Sequence, residues 1–454
     1  MKKVLVIVFC FFCLASSATH LRCGHIALSH ISGLTYEVKI IVYTNLGSPV
    51  KFSDGTLSFG DGTSLQTPTT ENTSFAPGIG LVTFTTTHTF PGAGDYKLTY
   101  VERNLTAGIL NIANSVNTPF YLEASASLDP AVPYFSPDFL APPIFRQAVG
   151  KPFSLSHMAV DKNDYQLRYQ LVSPLYPTLT SYSFPENLKV NYYNGLVTWD
   201  TKFMGRVDII GEFLFAIRTL QLDKNGKKVG DVIRSFQVVV DDFATGEISV
   251  SNPTTDVNGK VFVPQGKSKA IKVIAEANSK AMAWQVFHDI NIAPNVSFLQ
   301  YDSSADSKFY KVASVRLTAS PSTLRDNPYI VTLRAESTVN NIKTYRDVSF
   351  LFFTKDIDLP PVVDKIDNPT VVTATEPDNE LSVYPNPFHS VINIKASETR
   401  NLSSYEIVDS MGRQLFQNNF YSSDAVDTSN LPPGLYILKF KKNGTSLQLK
   451  ILKE

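Results

Sequence analysis

Thr35-Tyr36-Glu37-Val38-Lys39-Ile40-Ile41-Val42 decides the fold class of this chain. Tyr36, Val38, Ile40 and Val42 point one way, and Thr35, Glu37 and Lys39 the other. That period of two belongs to a β-strand with one face buried. Val82, Phe84, Thr86, His88 and Phe90 repeat the pattern downstream, and Tyr96, Leu98 and Tyr100 begin it again. Between these runs lie Ser53-Asp54-Gly55-Thr56, Gly60-Asp61-Gly62-Thr63 and Pro91-Gly92-Ala93-Gly94-Asp95. Asp-Gly pairs favour tight turns, because glycine accepts positive φ and aspartate bonds the backbone ahead of it. Short strands with a turn signal every ten or so residues predict a β-sandwich.

The same chemistry continues outward through 454 residues. Thr, Ser, Val, Tyr and Phe are abundant, and long helical Leu/Ala/Glu/Lys runs are missing, so the whole chain is expected to be all-β. Its length suits three or four domains of ~100–150 residues. The 41 basic and 41 acidic residues cancel, so bulk charge steers the chain neither to nucleic acid nor to an anionic membrane.

The first residues read as a secretory signal. Lys2 and Lys3 precede an apolar run from Val4 to Leu14, too short to span a bilayer, and Ser16-Ser17-Ala18 supplies the small residues of a cleavage site. Cleavage is expected after Ala18. Phe11-Phe12-Cys13 and Leu21-Arg22-Cys23 both lack the pattern of a lipidated cysteine. Cys10 and Cys13 leave with the signal, so the exported chain keeps Cys23 alone and relies on its cores, not on disulfides. No later stretch is long and apolar enough for a transmembrane helix.

Residues 19–125 resemble a known module. Leu57-Ser58-Phe59-Gly60-Asp61-Gly62-Thr63, then His88-Thr89-Phe90 and Tyr96, look like the PKD domain, with Leu57, Ser58 and Phe90 standing where that family carries Trp, Asp and Tyr. PKD domains are extracellular Ig-like sandwiches that act as spacers or binding modules. The Thr19-His20 start is also similar to N-terminal modules of exported gliding-associated surface proteins. Residues 126–145 carry Pro130, Pro133, Pro137, Pro142 and Pro143, which predicts an extended linker. Its aromatic residues Tyr134, Phe135, Phe139 and Phe145 are expected to hold it against a domain.

In residues 146–243, Gly150-Lys151-Pro152-Phe153 opens a second unit. An acidic turn follows at Asp161-Lys162-Asn163-Asp164, then the hairpin signal Asn194-Gly195 before Trp199, and a closing strand at Phe236, Val238 and Val240. That order is similar to cadherin-like and bacterial Ig modules. Residues 244–356 read as a third, Ig-like unit on strand pattern alone. Residues 357–380, rich in Pro and Thr, read as a second linker.

Residues 381–454 carry the most specific signal. Tyr384-Pro385-Asn386-Pro387, Val408-Asp409-Ser410-Met411-Gly412-Arg413 and Leu431-Pro432-Pro433-Gly434-Leu435-Tyr436 stand in register with the type A C-terminal sorting domain of the type IX secretion system. The resemblance implies engagement of the type IX secretion machinery through Tyr384, Pro385, Asn386, Pro387, Gly412, Pro433, Gly434 and Tyr436. It further implies passage across the outer membrane and removal of this domain. The expected architecture is therefore tandem Ig-like β-sandwich domains followed by a small β-sandwich sorting domain.

Candidate chemistry is sparse. Asp161, Asn163 and Asp164 place three oxygen side chains in one turn, which suits calcium, and Asp241 and Asp242 lie at the far end of the same unit. The competing reading is an Asx turn bonded to its own backbone. His20, Cys23 and His25 are all zinc-ligating types, but their spacing matches no familiar site. Asp61 reads as a turn aspartate, and His88 as a satisfied core histidine. His-Glu-x-x-His, Gly-x-Ser-x-Gly and phosphate-loop motifs are absent, while dispersed carboxylate pairs need no motif. Tyr182, Tyr192 and Tyr193 flank turns, where aromatic faces stack on sugars or fill partner pockets, or cover the core. The expectation is a non-catalytic, exported binding or adhesion protein for a surface glycan or protein ligand. A secreted carbohydrate-active or proteolytic enzyme and a structural or gliding-associated stalk are the alternatives.

Overall fold

The computed structural model describes residues 20–175, 177, 179, 181–242, 248–251, 259–288, 295–303, 308–339, 342–356, 381–384, 391–396, 404–408, 413–419, 423–432, 434–442 and 445–453. The expected signal 1–18 and linker 357–380 lie outside these residues. The chain divides into two compact units, Met1–Ile366 and Asp367–Glu454.

The predicted strand is the second of the larger unit. Thr35–Asn45 alternates in burial, and Tyr36, Val38, Ile40 and Val42 are fully buried. It is the second strand of a four-stranded sheet ordered Leu21–Ser32, Thr35–Asn45, Ile79–Thr89, Thr73–Ala76. Burying side chains of this size contributes roughly 1.5–3 kcal/mol each. The facing sheet carries Gly94–Glu102 between Thr56–Ser58 and Phe120–Leu128.

That facing sheet does not stop at the proline-rich segment. Phe120–Leu128 pairs antiparallel with Lys228–Asp241, whose other partner, Gly211–Leu222, pairs in turn with Gln166–Val172. One eight-stranded sheet therefore runs through both of the first two expected sandwiches. The physical reason lies in Lys228–Asp241, which is 14 residues long and nearly continuously buried. One edge of this strand receives Phe120–Leu128 at Gly230 to Ile233, then Ile144–Ala148 in parallel at Gln237 to Asp241.

Residues 126–145 run between those two partners, anchored along the way. His30 N donates to Tyr134 O at 3.1 Å, Ser136 N donates to Leu28 O at 2.9 Å, and the buried Tyr134 hydroxyl donates to Gln221 Oε1 at 2.6 Å. Asp138–Phe139 pairs with Ala159–Val160.

The second core gathers Phe145, Trp199, Phe213, Phe215 and Phe236 under a sheet of Phe153–Ser156, Leu196–Trp199 and Lys189–Val190. Trp199 packs edge-on to Phe153 and Phe213, with ring centroids 5.7 and 4.9 Å apart. The third sandwich has two four-stranded sheets. One is Ile248–Val250, Ser268–Ala277, Lys308–Thr318, Asn295–Ser303; the other is Lys260–Phe262, Ile342–Phe353, Tyr329–Val339, Met282–His288. Trp284, Val315, Leu333 and Phe350 lie in its core.

The smaller unit packs Leu381–Tyr384, Val391–Ala396 and Ser423–Asp427 as one sheet. Gln414–Asn419, Ser404–Val408, Gly434–Lys442 and Thr445–Lys453 form the other. Ile392, Ile394, Tyr405, Ile407, Leu438 and Phe440 make its core. The molecule is thus all-β, with tandem Ig-like sandwiches preceding a small terminal β-sandwich.

Candidate recognition cleft

A shallow cleft, open to solvent, lies between the second and third sandwiches of the larger unit. Its first wall is the acidic turn with Leu140, Met158 and Tyr165. Its second wall is Phe287, His288 and the 325–332 stretch. A buried ion pair fixes the two walls. Arg334 and Asp347, both from the third sandwich, are 2% and 0% exposed in their side chains. Asp347 Oδ2 also accepts from Ser156 N at 2.7 Å, and Arg334 Nη2 reaches Ser156 O at 3.3 Å. Ser154 Oγ donates to Asp347 O at 2.7 Å. Burial, the largest single influence, opposes the Arg334 charge, but the Asp347 carboxylate beside it, together with Tyr345 and Glu336, outweighs burial and raises the guanidinium pKa.

The sequence-predicted turn residues all sit at this cleft or behind it. Asp161 is buried, and its Oδ1 accepts from Asn163 N at 2.8 Å and Tyr165 N at 3.0 Å. Its Oδ2 accepts from Gln221 Nε2. Asn163 turns away from Asp161: its Oδ1 accepts from Phe135 N at 3.2 Å, and its Nδ2 donates to Pro133 O at 2.9 Å. Asp164, in a left-handed backbone conformation with φ of 59°, gives Oδ1 to Arg325 Nη1. Asn327 Nδ2 donates to Asp164 O at 3.0 Å. The three oxygen side chains thus face three different sets of N–H donors instead of one shared centre, which is the geometry of an Asx turn. Burial raises the Asp161 pKa, against the pull of the N–H groups of Tyr165, Gln221 and Asn163. At the end of the unit, Asp241 Oδ1 accepts from Asp242 N at 2.9 Å, and Asp241 Oδ2 lies 3.7 Å from Arg146.

Two arginines give the cleft its polarity. Arg168 is buried, with Nη1 on Leu167 O and Nη2 on Gln166 Oε1, both at 2.7 Å, and its guanidinium lies 5.0 Å over the Tyr193 ring. Burial lowers its pKa. Arg325 lies 3.7 Å over the Tyr329 ring and donates to Asn327 O and Pro328 O. Cation–π placement of this kind leaves a flat, partly polar surface. Of the three tyrosines singled out by sequence, Tyr193 lines the cleft, Tyr192 packs edge-on against it, and Tyr182 is buried in the first core. Arg325, Asn327 and Phe287 carry no local signal. Arg325 and Asn327 bond Asp164 across 161 and 163 positions of chain, and only tertiary packing brings them and Phe287 there.

The other candidates separate. Asp61 and His88 meet: His88 Nε2 lies 2.7 Å from Asp61 Oδ2, while Asp61 Oδ1 accepts from Thr63 N at 2.9 Å and Thr63 Oγ1 at 2.6 Å. The His88 ring stacks on Phe59 at 3.8 Å. Desolvation raises the Asp61 pKa, but the bonds from Thr63 and His88 outweigh it and bring the carboxyl down to about 2. His20 lies 3.4 Å from Glu102, Cys23 Sγ approaches Pro143 O at 3.7 Å, and His25 packs edge-on to Phe139 at 5.0 Å. Burial pushes the Cys23 thiol up to about 12. Among the described residues, no group of three or more His, Cys, Asp or Glu is placed to hold a metal ion.

In the smaller unit, Pro385, Asn386, Pro387, Gly412 and Pro433 lie outside the described residues. Tyr384 ends the strand Leu381–Tyr384, and Gly434 begins Gly434–Lys442. Tyr436 is buried, and its hydroxyl donates to Pro432 O at 2.6 Å, which ties Pro432 to the core.

Residues 382–454 match the family model of the secretion system C-terminal sorting domain. The sorting tail implies interaction with the type IX secretion machinery and export to the cell surface or the medium. No curated protein matches the chain. Among solved structures, the chain is similar to the N-terminal four Ig domains of Dscam1 isoform 6.44, at 9% identity over 96% of this chain and 99% of that one, with a TM-score of 0.19. The zebrafish RET cadherin-like domains 1 to 4 match at 10% identity over 96% of each chain, with a TM-score of 0.18. Rst D1-D2 matches at 12% identity over 48% of this chain and all of that one, with a TM-score of 0.19. Among the described residues, no helix is long and apolar enough to cross a membrane.

Proposed function

We infer that this is an exported, non-catalytic binding protein of the adhesion type, which recognises a surface glycan or protein ligand through the cleft between its second and third sandwiches. The observation that carries this reading is the state of the cleft carboxylates. Asp161 is saturated by three N–H donors and Asp164 is held by Arg325, so neither is presented as an acid or base facing a second carboxylate. What the cleft offers instead is aromatic and apolar surface between two fixed guanidinium groups, which suits recognition. The sorting tail supports delivery to the place where such binding is used.

The test is a glycan and protein array probed with the full chain and with Leu140→Asp, which puts a charge on the exposed cleft rim. Binding by the parent and its loss in the variant are expected. Turnover of a glycan or peptide panel by the purified chain would overturn the non-catalytic reading.

A further inference from the structure

Ile79–Thr89 is the third strand of the first sheet, and only part of its outer edge is covered. Thr73–Ala76 pairs with that edge at Ile79, Gly80 and Leu81 and no further. Beyond Leu81, among the described residues, no strand pairs with it. The inner edge pairs with Thr35–Asn45 along its whole length, without a bulge.

The ladder shows which groups the open edge presents. Thr35 lies opposite Thr89, and Phe90 N donates to Leu34 O at 3.0 Å. Thr35 and Thr89 are thus a non-hydrogen-bonded pair, and the two kinds of pair alternate from there. Thr83, Thr85, Thr87 and Thr89 therefore turn their N–H and C=O groups to the open side. Such a row is a template for another strand, and sheets ordinarily blunt it with Lys, Pro or a bulge. Thr83 to Thr89 carries none of these.

The composition of the stretch says what fits it. Thr83-Phe84-Thr85-Thr86-Thr87-His88-Thr89 has nearly the same pattern in both directions about Thr86. Paired antiparallel with itself and centred on Thr86, it sets Thr83 against Thr89, Thr85 against Thr87 and Phe84 against His88. Cross-strand pairs of threonines and of aromatic rings stabilise a sheet. Thr35 Oγ1 and Thr89 Oγ1, 2.9 Å apart, already form such a pair within this one. The stretch holds no Asp, Glu, Lys or Arg, so a second copy meets no like charge.

The same centre satisfies the backbone. It makes Thr83–Thr89 and Thr85–Thr87 the hydrogen-bonded pairs, which are the residues whose N–H and C=O groups face outward, and it leaves Thr86 on the axis as a non-hydrogen-bonded pair. The ends agree as well. Pro91 falls opposite Leu81, so one strand turns away where Thr73–Ala76 begins to occupy the edge of the other. Phe84 is only partly buried on the core face, and the His88 side chain is 16% exposed. A second strand would cover both.

We propose that the open edge of Ile79–Thr89 pairs antiparallel with the same edge of a second copy, giving a two-fold dimer whose first sheet runs on from one copy into the other. The contact is isologous, so it closes at two copies. It does not depend on the cleft between the second and third sandwiches.

Sedimentation velocity of the purified full chain over a wide concentration range should show monomer passing into dimer and nothing larger. Thr87→Pro removes an N–H that points to the open side and leaves the pairing with Thr35–Asn45 intact, a place where an edge strand accepts proline. It should keep the circular dichroism spectrum of the parent, yet stay monomeric. A Thr85→Lys, Thr87→Lys double variant changes only exposed side chains and sets lysine against lysine, so it should stay monomeric too. Thr86→Cys lies on the axis and should form an intermolecular disulfide under mild oxidation. Thr83→Cys faces Thr89 of the other copy and should link no more than the parent. Parent protein that stays monomeric at every concentration would overturn the proposal, as would growth past the dimer. Dimerisation of both edge variants equal to the parent, or equal linking of Thr83→Cys and Thr86→Cys, would overturn it as well.

Discussion

The Arg334 guanidinium holds the Asp347 carboxylate through Nε–Oδ1 and Nη2–Oδ2 contacts of 2.8 and 2.7 Å, and the same pair binds the backbone of Ser156 in the preceding sandwich. The pair is a bolt between two sandwiches as well as a cross-strand contact within one. Removing one partner leaves the other charged and buried. Asp347→Asn is expected to lower unfolding free energy by about 3–5 kcal/mol. Urea denaturation followed by Trp fluorescence checks it, since Trp199 and Trp284 report the second and third cores. An unchanged midpoint would contradict the bolt.

Gly24 predicts a steric effect. An added Cβ would lie 2.3 Å from Ile41 O, and Gly24 N already accepts no alternative position because it donates to Ser235 Oγ at 2.9 Å. That bond ties the first strand of the first sandwich to Lys228–Asp241. Gly24→Ala is expected to cost about 1–3 kcal/mol through overpacking. Thermal melting that matches the parent would contradict the close approach.

Acid should destabilise the larger unit from an unusually high pH. Burial, reinforced by the Arg234 charge, lowers the pKa of both His25 and His157 well below the ordinary 6.5. The unfolded chain then binds more protons than the folded one below that value. Their contribution is complete above 6.5 and falls away as pH drops beneath it. Denaturation midpoints should decline from neutral pH to about pH 5, and decline less in a His25→Asn, His157→Asn double variant. Equal slopes in the two proteins would remove the effect.

Asp61 acts in a lower window. Its folded pKa of about 2 lies under the ordinary 3.8, so its contribution is present above 3.8 and is lost as pH falls through 2. Asp61→Asn should flatten the melting profile in that window and leave the profile near neutral pH with the same shape. Titration of the Asp61 carboxyl by NMR at its ordinary value would contradict this.

Calcium should leave the protein unmoved. Occupation of the Asp161 turn by a cation would break contacts from Asn163, Tyr165, Gln221 and Arg325. Isothermal titration is expected to give no calcium heat, and melting no shift. A clear rise in melting temperature with calcium would place a site there after all.

The sequence by itself determined the all-β class, the alternation that buries Tyr36, Val38, Ile40 and Val42, and the sorting tail. These are local matters: a period of two, a turn dipeptide and a motif in register need only a few neighbouring residues. Tertiary structure decided that Lys228–Asp241 stitches the first two sandwiches into one sheet, that Asp161 is saturated by N–H donors, and that Arg325 meets Asp164. Each of these depends on which distant segment packs against which. That choice is made by burial summed over whole sheets, which no short stretch of residues encodes.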